Sequence, residues 1–428
     1  MSPSVFTQPD LAVDASNSQL PTRRQFLTST LAAAVLSVGP FSRGWGQSSP
    51  LRIGLSGPYS GGSAPMGESM RNGVRLAVNE LNYIGGVLGR PLELVERDDQ
   101  ANPQVGAAIA EDLVLKDKVV ATIGIVNTGV GMASIDTYQK HKIPLLVAVS
   151  TGPALTKKYA PAADQPNAPD NYIFRLSPTL TLEAQIIMED MAKRGFQQVA
   201  LLADATAYGD AGVKAVGDAA NAKGVALSSI ERFKVGDTDM TEQLRRARAT
   251  KAQALILWGI GPELAAIARG VQQLGWKVLL VGGWTLSMAN FIDGAGSAGE
   301  GALMTQTFIQ EGGVSSKNSF LLAYASTFKT GRIASPMSAA QGYDAMLLLA
   351  AALWQAGSTE GKAIVQALEN LQKRVPGAIT VYEKPFTRLD HDAVTPNMLV
   401  MGQVKQGRVV YAYSEDARRG LLQRKKQG

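Results

Sequence analysis

The chain contains no cysteine and only two histidines in 428 residues. Disulfide frameworks, cysteine-bound zinc, iron–sulfur clusters and a cysteine nucleophile are therefore excluded. A lipid anchor is excluded too, since it needs an N-terminal cysteine. His141 stands between two lysines on a polar face and reads as solvated; His391, in Leu389-Asp390-His391-Asp392, reads as a loop residue. No multi-histidine metal site can be assembled, and no metal is expected. Neither sign of charge dominates: 42 Lys+Arg against 36 Asp+Glu leave +6, spread along the chain, without the basic stripe a nucleic acid would need. After residue 40 no apolar run is long enough to span a bilayer. There is no P-loop lysine pattern, no nucleophile elbow and no paired-histidine zinc motif, so no catalytic constellation emerges. Gly129-Val130-Gly131-Met132-Ala133-Ser134 mimics a dinucleotide fingerprint, but no acidic residue follows about 20 positions later. An exported Rossmann-type oxidoreductase thus remains a remote alternative, and no cofactor is expected.

What is present is a globular composition, 45% hydrophobic, enough for large cores in two or three domains. Residues 1–46 read as an address. Thr22-Arg23-Arg24-Gln25-Phe26-Leu27 precedes a weak apolar stretch over 27–38, and Gly44-Trp45-Gly46 puts small residues at a cleavage site. Together they form a twin-arginine signal peptide. From residue 51 strands and helices alternate. Met70, Val74, Ala77, Val78 and Leu81 recur at helical spacing before Gly85-Gly86, and 119–126 and 144–149 are continuous apolar runs suited to strands buried on both faces. The pattern predicts an α/β fold with doubly wound parallel sheets, restarting after a polar loop at 160–171. Within it, Asp98-Asp99 reads as a strand-end pair that caps neighbouring backbone, and residues 414–428 as a basic tail.

Ile53-Gly54-Leu55-Ser56-Gly57-Pro58-Tyr59-Ser60-Gly61, Gly85-Gly86-Val87-Leu88-Gly89-Arg90 before Asp98-Asp99 and Pro103, Tyr208-Gly209 after a strand, and Gln341-Gly342-Tyr343-Asp344-Ala345 occur in this order. The series resembles the periplasmic substrate-binding proteins of branched-chain amino-acid ABC importers, the leucine/isoleucine/valine-binding family, over 51–413. The resemblance implies a type I periplasmic-binding fold of two lobes joined by a three-strand hinge. Lobe 1 would be 51–175 plus 307–377 and lobe 2 would be 177–305 plus 379–413, with crossovers near 174–177, 304–308 and 376–379. It implies a non-enzyme: a periplasmic solute receptor, monomeric, closing on a small carboxylate and docking on an ABC permease in the inner membrane. A receptor signalling to a membrane partner is the alternative role.

Carried over by position, the ligand residues would be Tyr59 and Met66 in the first loop, Asn127 and Thr128 after one buried strand, and Ser150, Thr151 and Gly152 after the next. Tyr208, Trp258, Gly261 and Trp284 would come from the second lobe. Thr128 and Ser150 also suit helix capping. Trp284 falls where amino-acid binders of the family place the glutamate that holds the ligand ammonium, so that counter-charge is missing from its usual position. An aromatic plate would replace it, unless Trp258 and Trp284 are core aromatics. The family's first-lobe disulfide positions fall at Ala101 and Asn127, so that bridge is absent.

Overall fold

The computed structural model describes residues 49–165, 167–311, 315–419 and 426. The signal-peptide reading of 1–46 lies outside the described residues. The chain opens with β1 (Leu51–Gly57), α1 (Ala64–Tyr83), β2 (Leu92–Asp98), α2 (Pro103–Glu111), β3 (Ala121–Gly124), α3 (Thr128–His141), β4 (Leu145–Val147), α4 (Ala154–Lys157) and β5 (Ile173–Arg175). The five strands form one parallel sheet in the order β2-β1-β3-β4-β5. β3 and β4 are buried along their whole length, which is why their residues are continuously apolar rather than alternating. On α1 the predicted stripe is buried, with Met66 at its start. The helix ends at Gly85 and Gly86, both at positive φ. A Cβ on Gly86 would lie 2.0 Å from the Arg90 carbonyl oxygen, so the turn into β2 requires glycine.

The chain then crosses to a second sheet through α5 (Leu180–Lys193). There follow β6 (Gln198–Asp204), α6 (Ala207–Lys223), β7 (Ala226–Phe233), α7 (Thr241–Ala249), β8 (Ala254–Trp258), α8 (Pro262–Gln273), β9 (Leu279–Gly282), α9 (Ala289–Ala295) and β10 (Leu303–Gln306). Helices α10 (Ser315–Phe328), α11 (Pro336–Ala356) and α12 (Gly361–Glu369) return to the first lobe, where α11 packs along α1. The short pair β11 (Val375–Pro376) and β12 (Val381–Tyr382) stays there. β13 (Val400–Lys405) and β14 (Arg408–Tyr411) complete the second sheet, and α13 (Ser414–Arg419) opens the predicted basic tail. That sheet runs β14-β13-β10-β9-β8-β6-β7, its pairings parallel except that β13 lies antiparallel to both β10 and β14. The edge hairpin turns at Gln406-Gly407, both at positive φ, as a two-residue turn demands.

The third passage between lobes lies later than the sequence suggests. Ala378, Ile379, Tyr382, Phe386, Ala393, Val394 and Met398 all belong to the first lobe's core. Asp344 on α11 holds this segment by accepting the Ala378 and Ile379 N–H groups at 2.5 and 3.0 Å and the Tyr382 hydroxyl at 2.9 Å. The chain crosses only at 399–400, so lobe 1 runs on to about 398 rather than ending at 377. His391 is in a loop but not at the surface: it stacks on Phe174 at 3.8 Å, and its Nδ1 lies 2.9 Å from the Ile173 carbonyl. Asp98 and Asp99 do cap backbone. Asp98 accepts the Tyr59 and Gln100 N–H groups, and Asp99 accepts that of Ala101. Burial pushes the Asp99 carboxyl up to about 6.

Candidate functional site

Two walls face each other across the cleft at the carboxyl ends of the parallel strands, where open α/β sheets bind ligands. The first wall begins with strain: Ile125, directly after β3, is buried with φ +61, a region β-branched residues avoid. This turn leads into the N-terminus of α3. Asn127 precedes that helix without capping it; its Nδ2 donates to Ser63 at 3.2 Å and its buried Oδ1 has no partner. The helical ladder starts with the Gly131 N–H on the Asn127 carbonyl, leaving the amides of Thr128, Gly129 and Val130 in the unpaired first turn. The Thr128 and Ser150 hydroxyls lie 3.1 Å apart, and the buried Thr151 hydroxyl is unpartnered. Gly152 lies against Thr128, whose methyl would be 2.5 Å from a Cβ there.

The crossover holds this loop in place. The Ser177 hydroxyl donates to the Ser150 carbonyl at 2.6 Å, the Leu180 N–H to Thr151 at 2.9 Å, and Arg175 Nη1 to Gly152 at 2.6 Å. Arg175 is wholly buried and also binds Asp392 at 2.6 Å and Thr156 at 2.9 Å. Burial alone would raise the Asp392 carboxyl, but Arg175, Thr156 and Lys157 hold it below its ordinary range.

The second wall gathers side chains from α5, α6 and the segment after β9. Glu183 is fully buried in the first turn of α5. Its Oε1 accepts the Thr305 hydroxyl at 2.6 Å and the Trp284 N–H at 3.1 Å, while Oε2 has no partner. Burial pushes its carboxyl up to about 7. The Tyr208 and Thr285 hydroxyls lie within reach of each other, yet neither closes a hydrogen bond of normal geometry. Burial, and then the charge of Glu183, raises the Tyr208 phenol.

The walls touch at both sides. Asn290 Nδ2 donates to the Gly62 carbonyl at 3.2 Å, and a Cβ on Gly129 would lie 4.0 Å from that of Ala207.

A match to the periplasmic binding protein family model spans residues 50–408. The chain belongs to this family. A Leu/Ile/Val-binding protein of Rhizobium johnstonii is 26% identical over 82% of this chain and 90% of its own length. The solved type 1 periplasmic binding protein of Bordetella pertussis superposes with a TM-score of 0.77 at 25% identity, covering 85% of this chain and all of that one. An ABC-transporter solute-binding protein of R. palustris, solved with benzoate, shares the fold with a TM-score of 0.74 at 21% identity, over 87% and 96% of the two chains. The protein is thus a ligand-binding periplasmic binding protein of the leucine/isoleucine/valine-binding type, and its relatives are binding proteins rather than enzymes.

Among the sequence-derived site residues of this periplasmic binding protein, Asn127, Thr128, Ser150, Thr151 and Gly152 form one wall. Tyr208 and Trp284 stand on the other; Trp284 is almost wholly buried and packs with the first lobe's core cluster. Trp258 lies deeper, its indole pressed under α6 where Gly212 leaves room, with its ring 5.9 Å from that of Tyr208. Gly261, at φ +90, starts α8 beside Gly62. Tyr59 turns its hydroxyl back to the Leu55 carbonyl at 3.1 Å, under the Arg71 guanidinium, and Met66 is buried in the first core.

Sequence reasoning missed Glu183, Thr285 and Arg175. An acid in a first helical turn reads as a favourable partner of the helix dipole. Nothing local shows that Glu183 meets Trp284 and Thr305, more than a hundred residues on.

Proposed function

We propose that this protein is the solute receptor of an ABC importer, exported by the twin-arginine route with residues 1–46 removed. It works as a monomer in the periplasm, without cofactor or nucleic acid, and hands its ligand to an inner-membrane permease. The ligand is a small carboxylate enclosed between the lobes. One observation supports this reading: buried polar atoms without partners, Asn127 Oδ1 and Thr151 Oγ1 in the loops after the first sheet's strands and Glu183 Oε2 in the first turn of α5. Such atoms cost stability unless something fills the space. The uncapped N-terminus of α3 and the hydroxyls of Thr128 and Ser150 suit an anion. The names of the relatives suggest branched-chain amino acids, and the benzoate complex suggests aromatic acids.

Closure works by differential contact. A ligand touching both walls binds the closed form better than the open one and shifts the population toward it. A thermal-shift screen over branched-chain amino acids, aromatic acids, short fatty acids and dicarboxylic acids tests the reading. A ligand at a hundred times its Kd stabilises by about 2.7 kcal/mol, a visible melting shift. Absence of any carboxylate hit, with native mass spectrometry showing no co-purified ligand, sinks it.

A further inference from the structure

We propose that the C-terminal part of the chain ties the second lobe to the first outside the cleft, through Tyr411 and Lys426, and so favours the closed form before any ligand arrives. The inference concerns the hinge and stands whatever the ligand is. β14 and α13 follow the second sheet, yet Lys426, seven positions beyond the end of α13, lies on the first lobe. Its ammonium donates to the Asp390 carboxylate and to the Asp392 carbonyl, and its N–H to the Lys384 carbonyl at 3.4 Å. The side chain is 11% exposed, whereas a lysine on a loose basic tail stays in water. The seat is itself held in place. Asp392 is locked to Arg175, which flanks the first crossover, and Asp390 accepts the Asp392 N–H at 3.1 Å. Thr387 and Asp390 exchange backbone hydrogen bonds at 2.9 and 3.0 Å.

A second tie is independent of the first. Phe320 and Tyr324 fix α10 in the core of the first lobe. From the same helix the buried Lys317 donates to the Ile309 carbonyl at 2.9 Å. Its Nζ stands 5.6 Å from the centre of the Phe308 ring and 6.0 Å from that of Tyr411. Phe308 lies just past the second crossover and Tyr411 on β14, so one ammonium joins a first-lobe helix, the hinge and a second-lobe edge strand. Burial lowers this ammonium from its ordinary value, and no charge offsets that. A desolvated ammonium gains most from an aromatic face.

Neither tie uses a residue of the cleft walls, and both are present while the walls touch at Gly62 and Asn290. Rotating the lobes about their crossovers displaces Tyr411 relative to Lys317, and Arg419 relative to the seat of Lys426. Contacts made in one form and strained in the other shift the population toward the first. Loss of the ties therefore weakens every ligand by one common factor, the fraction of molecules competent to bind.

The absence of cysteine allows the opening to be measured without any ligand. Glu68→Cys in α1 and Thr238→Cys after β7 are exposed positions, one on each lobe at the cleft side. Nitroxide labels on both report the gap by double electron–electron resonance, on protein stripped of bound solute by unfolding in guanidinium and refolding. In this background Lys426→Gln, removal of residues 420–428, and Tyr411→Leu should each raise the share of long distances about threefold or more over the parent. Tyr411→Phe keeps the ring and should keep the parental distribution. Lys425→Gln removes an equal charge from the neighbouring position and should also leave the distribution unchanged. An unchanged distribution in Lys426→Gln and in the deletion overturns the tail tie, and one in Tyr411→Leu overturns the Tyr411 tie. An equal response to Lys425→Gln overturns the seat of Lys426, since general charge would then explain it. A shift of any of the three toward shorter distances overturns the preference for the closed form.

Discussion

Arg175 and Glu183 are eight positions apart in sequence, both fully buried and both charged in their ordinary state, yet their surroundings are opposite. Arg175 meets a carboxylate, a carbonyl and a hydroxyl, and every contact lies within the first lobe. Glu183 has one oxygen satisfied and one bare. A buried charge with all its partners serves the fold, whereas a buried charge left half-partnered costs stability. The two also respond oppositely to pH. The depressed carboxyl of Asp392, paired with Arg175, contributes stability above its unfolded-state pKa that is lost as pH falls through the folded one. The raised carboxyl of Glu183 contributes stability below its unfolded-state pKa that is lost as pH rises through about 7.

The strongest way to break the comparison is Arg175→Met. It leaves the buried Asp392 carboxylate, among the described residues, with only the half-exposed Lys157, 3.7 Å away, as an ion-pair partner and should cost about 3 kcal/mol in urea unfolding. A loss near zero would remove Arg175 from the frame of the hinge. Gly212→Ala asks whether Trp258 belongs with Arg175 or with Glu183. The added methyl would meet the indole at 2.2 Å, so a loss of about 1–3 kcal/mol is expected by differential scanning calorimetry. Ligand affinity should stay unchanged if Trp258 is purely internal. On the first wall, Thr128→Ala should weaken binding of a carboxylate by about 1–2 kcal/mol in calorimetric titration. An unchanged Kd takes Thr128 out of the site. The smallest effect sharpens the contrast in pH response. Ligand-free Glu183→Gln should melt a few degrees above the wild type at about pH 8 and no higher at about pH 5. Equal gains at both values would mean that the carboxyl does not titrate in this range.

Much of the fold was legible because it follows from local periodicity. The stripe on α1 and the apolar runs of β3 and β4 announce helix and buried strand by spacing alone. Where contacts are non-local, the sequence misleads. The run Gly129-Val130-Gly131, which mimics a dinucleotide fingerprint, lies inside α3, which starts at Thr128. Its glycines serve packing: a Cβ on Gly131 would lie 2.7 Å from Leu155 and 2.9 Å from Ile125. The stretch 377–398 has little regular structure, so no pattern marks its lobe. Asp344 and Arg175, distant in sequence, tie it to the first. In the site, small hydroxyl residues at strand ends stand out in the sequence, while Glu183 takes its meaning from residues 284 and 305.

The clamp of Arg175 on the Gly152 carbonyl has a consequence in time rather than in space. Together with the Ser177 and Leu180 bonds, it builds the loop of Ser150, Thr151 and Gly152 into the crossover strand itself. On the proposed function, an arriving solute meets one wall whose atoms are already in position and a second that comes to it. The rate of capture then belongs to the first wall and is similar for many small acids. Discrimination falls to the second wall and is expressed as how long the solute stays.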